Sequence, residues 1–186
     1  MNESTRAVDG LLIGADLPLE DALNWRINWQ VRKYADTLAY DAESPYEVNN
    51  IKGNLLTTAG IGRIATILNL GTGNLISSTT ARVGVGNGAG SAVIGDTDLG
   101  AAAGSANRWF QTCTVTTPSN VLTFAATFAS ADGNFAWNEF GIDIATATVA
   151  SSNAVGTVLL NHKTGIAQGT KASGQVWSAT ATITFS

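Results

Sequence analysis

With 186 residues, 45% of them hydrophobic and 13% charged, the chain suits one compact domain with an appendage, or two small domains, around a sizeable core. Its net charge of −4 and a longest basic run of two residues, Arg32-Lys33, argue against nucleic acid and membrane as partners, because phosphate recognition needs clustered Lys and Arg. The charged fraction is about half the roughly 25% of an ordinary soluble domain. A hydroxyl-rich β surface would account for that, and so would a surface covered by neighbours in an assembly.

Residues 1–17 mix small, polar and apolar residues without a sustained period and read as an N-terminal arm. Met1–Thr5 lacks the basic start of a signal peptide, and no stretch reaches the ~18 apolar residues of a bilayer span. The expectation is a chain made in a cytoplasm that stays soluble until it assembles.

The spacing of Leu19, Leu23, Ile27, Val31, Ala35 and Leu38 predicts a helix over 18–42. Asp16 can cap it, Pro18 suits its first turn, and Ser44-Pro45 stops it. Trp25, Trp29 and Tyr40 lie off that stripe, and a second apolar flank needs a second contact surface, within the domain or on another subunit. With Leu11, Leu12 and Ile13 of the arm, these three form the candidate intersubunit contact. A second, shorter helix is expected over 57–70, capped by Thr57 or Thr58, with Ile61, Ile64, Ala65 and Leu68 buried and Gly71 at its end.

From residue 80 the pattern turns to strands. Ala81–Val85 is short and runs into Gly86-Asn87-Gly88; Arg108–Thr116 is Thr-rich and aromatic. Val121–Phe128 alternates, with Leu122, Phe124, Ala126 and Phe128 on one face, after a hairpin loop at Thr117–Asn120. Phe135–Ile144 and Val155–Lys163 are further strands, and Gln175–Phe185 alternates again. The fold class expected is mainly β: an antiparallel, jelly-roll-like β-sandwich over 53–186 with a short leading helix, preceded by an arm and helix over 1–52. Charge supports that division, because residues 1–60 hold nine of the 14 acidic groups and residues 61–186 only five.

Chemistry is sparse. The single histidine, His162, has no cluster of Cys, His or Asp spaced to complete a metal site and no nucleophile elbow to serve. Asp96 and Asp98 sit two apart in a Gly-rich loop that offers too few oxygens for calcium, and they read as turn residues capping their own backbone. Glu139 lies in the apolar run Trp137-Asn138-Glu139-Phe140-Gly141 and needs a hydrogen-bond partner there. Gly84-Val85-Gly86-Asn87-Gly88 is surrounded by strands and reads as a tight turn rather than a phosphate loop. Cys113 is expected in the core, inside a strand. No catalytic residue, cofactor site or metal site is expected, and the chain is read as a non-enzyme.

Five segments in order carry a resemblance: Gly53-Asn54-Leu55-Leu56-Thr57-Thr58-Ala59-Gly60-Ile61, Ala81-Arg82-Val83-Gly84-Val85-Gly86-Asn87-Gly88, Asp96-Thr97-Asp98-Leu99, Phe124-Ala125-Ala126-Thr127-Phe128 and Trp137-Asn138-Glu139-Phe140-Gly141-Ile142. Together, over about half of the chain, they resemble bacteriophage virion proteins related to the tail-collar fibre N-terminal domain. The resemblance implies a small non-enzymatic β-sandwich used for attachment within a virion, usually as a homotrimer. A free-standing domain with an arm and a helix, ending without a fibre shaft, is expected to be a capsid decoration or cement protein. Its partner would then be the major capsid protein. Tail, collar or fibre-adaptor proteins are the alternative partners, and a carbohydrate-binding β-sandwich module is a distant alternative function.

Overall fold

The computed structural model describes residues 25–70 and 75–186. In chain order the elements are β1 (Trp25–Tyr34), α1 (Thr37–Asp41), β2 (Glu47–Lys52), β3 (Leu55–Leu56), α2 (Thr58–Leu70), β4 (Ala81–Gly86), β5 (Arg108–Thr112), β6 (Thr114–Thr116), β7 (Val121–Phe128), β8 (Glu139–Ile144), β9 (Val158–Thr164) and β10 (Val176–Phe185). They form two five-stranded sheets, ordered β2-β1-β10-β7-β6 and β3-β9-β8-β4-β5. Every pairing of named strands is antiparallel. The expected β-sandwich is therefore present, with one core between the sheets.

That core is aromatic. Trp137 stands edge-on to Phe128 and Trp177 at centroid distances of 4.7 and 4.9 Å, and Trp29 lies 4.9 Å from Phe140. β7 and β10 show the alternation their sequences announce. Leu122, Phe124, Ala126 and Phe128 point inward opposite Ile183, Ala181, Ala179 and Trp177, while the intervening threonines face outward.

The helix expected over 18–42 is not formed among its described residues. Residues 25–34 are instead a strand that pairs along its whole length with β10, Trp25 opposite Phe185 and Tyr34 opposite Val176. The cause is an ambiguity of period. Residues four apart, such as Ile27 and Val31, share a face in a helix and also in a strand. Trp29 between them, with polar Arg26, Asn28, Gln30 and Arg32 intervening, makes the true period two. Of the described residues in that range only the single turn α1 is helical, with Asp36 accepting the Ala39 amide at its start (2.8 Å). The expected boundary at residue 52 moves for the same reason: β1 and β2 are strands of the first sheet, and Ile27, Trp29 and Val31 belong to the core.

α2 forms where a helix is expected, but the stripe expected to be buried is not. Ile61 is 47% and Leu68 77% exposed, Ala65 is exposed and Ile64 half-buried, because only one edge of the helix rests on the sheet; Gly71 lies outside the described residues. Thr57 Oγ1 accepts the Gly60 amide at 2.9 Å as N-cap, while its own hydroxyl proton is donated to Leu159 O. Gly60 lets the helix lie directly on β9, since a Cβ there would collide with the Leu160 backbone. The strand expected over 108–116 is two strands. β5 belongs to the second sheet and β6 to the first, so the chain crosses between sheets at Cys113. Cys113 is buried at that corner, where it donates weakly to Ala81 O, and burial pushes its thiol pKa up to about 12.

Candidate functional site: an ionic layer beneath two loops

Alternation in β4 and β8 sends Val83, Val85, Phe140, Ile142 and Ile144 into the core. Arg82, Glu139 and Asp143 therefore point to the other side of the second sheet, and so does His162 on β9, opposite Gly141. That side is nonetheless closed, because the four side chains are at most 3% exposed. The roof consists of two long loops, 87–107 between β4 and β5, and 145–157 between β8 and β9.

Glu139 and His162 bind the first loop. Glu139 Oε1 accepts the amides of Gly88 (3.1 Å) and Ala101 (2.7 Å). Its Oε2 accepts the Gly100 amide (2.7 Å) and His162 Nε2 (2.8 Å). The other ring nitrogen, Nδ1, donates to Asp96 Oδ2 at 2.6 Å, and the same oxygen accepts the Val93 amide at 2.8 Å. Gly86 faces Glu139 in register, and a Cβ at Gly86 or Gly88 would collide with the carboxylate. Gly86 and Gly88 thus make room for an acid that lies far away in sequence, while Gly84 makes room for the Phe110 ring.

The titration of these groups is cooperative. Burial by itself would lower the His162 pKa, but its hydrogen bonds to Glu139 and Asp96, with their charges, hold it above its ordinary value. Burial would raise Glu139, but the bonds from His162 and from the Gly100 and Ala101 amides hold it below its ordinary value. Asp96 is also lowered, against desolvation, by His162 and the Val93 amide. The resulting state is an imidazolium donating from both nitrogens to two carboxylates.

The second loop is held by arginines. Arg82 pairs with Asp143 and donates to Ala150 O (3.0 Å), Ser152 Oγ (2.7 Å) and Ala154 O (3.0 Å). Asp143 in turn accepts the Gly156 amide at 3.0 Å. Arg108 joins the loops, donating to Asp98 Oδ2 (2.6 Å) in one and to Asn153 O (2.8 Å) in the other. A further buried cation lies outside this layer. Lys171 donates to Ala129 O (2.8 Å) and Asn134 Oδ1 (2.7 Å), and desolvation, against the pull of Asp132, pushes its pKa down to about 8.

The sequence leaves His162 without partners and treats Asp96 as a turn residue. Asp96 does hold its own turn, but it also meets His162, and Glu139 closes the ring's other side. Asp98 is paired with Arg108, which accounts for its carboxylate without calcium. Among the described residues, no three His, Cys, Asp or Glu side chains are arranged to hold a metal ion. Both imidazole nitrogens are engaged by carboxylates, so the ring has no free lone pair with which to accept a proton from a substrate or a nucleophile.

The expected contact residues separate. Trp29 is 1% exposed in the core and cannot touch another subunit, because its strand faces inward at that position. Tyr40 is half-buried against its own domain, edge-on to Tyr34 (5.1 Å) and hydrogen-bonded to Thr127 (3.0 Å). Trp25 is half-buried at the end of the first sheet. Leu11, Leu12 and Ile13 lie outside the described residues. Trp137 and Trp177 are buried, which removes them from any sugar-stacking face, while Trp109 is half-buried with its indole N–H on Gln111. Among the described residues, no helix is long and apolar enough to cross a membrane. No family model, curated protein or solved structure matches the chain.

Proposed function

We propose that the chain is a non-enzymatic structural protein of a bacteriophage particle, acting as a capsid decoration or cement protein. The observation that carries this reading is the internal use of His162 and Glu139, with Asp96 Oδ2 closing the ring's other side. Each imidazole nitrogen, and each Glu139 oxygen, is bonded to the protein itself, and the product of that bonding is a fixed loop. Loop 87–107 in turn holds Val93 and Ile94 out to solvent, each 56% exposed. A polar cluster that anchors an apolar-tipped loop suits contact between proteins better than turnover of a small molecule.

The sequence resemblance supports the same reading. Three of its segments, Ala81–Gly88, Asp96–Leu99 and Trp137–Ile142, supply Gly86, Gly88, Asp96 and Glu139, which together with His162 anchor the first loop. In a particle, a homotrimer would lay such loops across neighbouring major capsid subunits. Each apolar contact contributes roughly 25 cal/mol per Å² before association costs, multiplied over many identical copies.

Quantitative mass spectrometry of purified particles from a phage encoding the chain tests this directly. Hundreds of copies per particle are expected. A dozen or fewer would move the chain to the tail, collar or fibre adaptor, and absence from particles would end the virion reading. The double variant Val93→Asp/Ile94→Asp is expected to lower particle incorporation at least tenfold while leaving the fold intact.

A further inference from the structure

Lys171 is fully buried, yet among the described residues no carboxylate is ion-paired with it. Both acceptors of its Nζ are neutral: Ala129 O at 2.8 Å and Asn134 Oδ1 at 2.7 Å. The backbone fixes the two sides of this contact. The segment leading into β10 runs against the loop between β7 and β8, with Ala136 bridged to Thr170 and the Lys171 amide donating to Phe135 O at 3.1 Å. The Asn134 side chain is oriented as well, because its Nδ2 donates to Ser130 O at 2.9 Å and turns the carbonyl toward Lys171. A C=O bond is about 1.2 Å long, so the amide carbon Cγ lies within about 4 Å of Nζ.

We infer that Lys171 and Asn134 join in an intramolecular amide, an isopeptide bond that ties the β7–β8 loop to the chain entering β10. The nucleophile is a desolvated amine held against its electrophile. Burial, opposed by the charge of Asp132, brings the Lys171 pKa down to about 8, so the neutral form is populated near neutral pH. In the reaction Lys171 first gives one proton to solvent at the rim, where Asp132 and Asn134 are half-buried. The Nζ lone pair then attacks Cγ, and one of the two remaining Nζ protons is lost as another is taken up by Nδ2. The Cγ–Nδ2 bond breaks, ammonia leaves, and the Nζ–Cγ bond remains as a secondary amide. No oxidant, reductant or cofactor enters the balance. Fixed geometry makes the step unimolecular, which removes the entropic barrier that keeps free amines from attacking free amides. The bond closes a loop between residues 37 apart, and its formation does not depend on where the protein works.

Intact-mass spectrometry of the full chain in denaturant tests the inference. The dominant species is expected to be lighter than the encoded mass by one ammonia. Tryptic digestion locates the loss, because trypsin should no longer cut after Lys171. The peptide of residues 109–163 should then be found covalently joined to that of residues 164–186, with fragment ions placing the junction at Asn134 and Lys171. Lys171→Arg and Asn134→Ala should each restore the missing ammonia and abolish the joined peptide. A wild-type protein of full encoded mass, with separate peptides, would overturn the inference and leave Lys171 as a buried ammonium that caps a turn. The wild-type measurement decides this whether or not either variant folds. An ammonia loss that persists in Lys171→Arg would overturn it equally, by assigning the loss to another residue.

Discussion

The two sheets solve burial differently. The first, β2-β1-β10-β7-β6, has one apolar face and one face of Thr, Ser, Gln and Arg turned outward. The second is closed on both sides at its centre, where all six residues of β4 and all six of β8 are buried. Its inner side is hydrocarbon, and its outer side combines the ionic groups with a small apolar cluster of Leu99, Phe110 and Leu159, roofed by loops that supply amide donors and carbonyl acceptors. The first sheet is held by transfer of apolar area from water, a term that tolerates exchange of one surface hydroxyl for another. The second depends on charges that are favourable only while every partner is in place.

The largest effect expected from this contrast is at the ionic layer. Asp143→Ala leaves the Arg82 guanidinium buried without its carboxylate and should cost about 3–5 kcal/mol in chemical denaturation. A cost below about 1 kcal/mol would mean that water enters beneath the loops and the two sheets do not differ in kind. Gly86→Ala places a methyl where the Glu139 carboxylate sits, and that carboxylate is pinned by three amides and a histidine. A loss of about 1–3 kcal/mol is expected, together with faster amide exchange at Gly88, Gly100 and Ala101.

Proton linkage sharpens the comparison further. The folded pKa of His162 lies above the ordinary 6.5, so its contribution is complete below about pH 6.5 and disappears as pH rises through the raised value. Glu139 and Asp96 lie below their ordinary 4.5 and 3.8, so their contributions are present above those values and disappear as pH falls through the lowered ones. The difference in stability between the wild type and His162→Gln should therefore be greatest at mildly acidic to neutral pH and shrink toward both extremes. Urea midpoints measured for the two proteins over a pH series would show this, and a constant difference would deny the ionised triplet. The smallest effect belongs to the first sheet. Thr182→Val on the outer side of β10 should change stability by no more than about 0.5 kcal/mol.

What could be read in advance follows the range of the forces involved. β7 and β10 announce themselves because their alternation is local and complete. β1 is misread because Ile27 and Val31 satisfy two periods at once, and its decisive partner, β10, lies some 150 residues later. The need of Glu139 for partners is legible from its apolar neighbours. The identity of those partners is not, because they are backbone amides from a loop about 40–50 residues earlier, and an amide N–H carries no mark in the sequence. The trace that exists is negative: glycines at 86 and 88, where a side chain would be in the way.

The pairing of β1 with β10 also bears on biosynthesis. The strand at residues 25–34 leaves the ribosome well before its full-length neighbour at 176–185, the last of the described strands in chain order. Until then, β1 has only the shorter β2 beside it, and the inward side of Trp29 has no sheet to close against. The first sheet therefore forms after translation of β10, as a late closure between sequence-distant segments, which places the protein among slowly folding β topologies. A nascent chain stalled before residue 176 should expose β1 to chaperones and to other copies of itself.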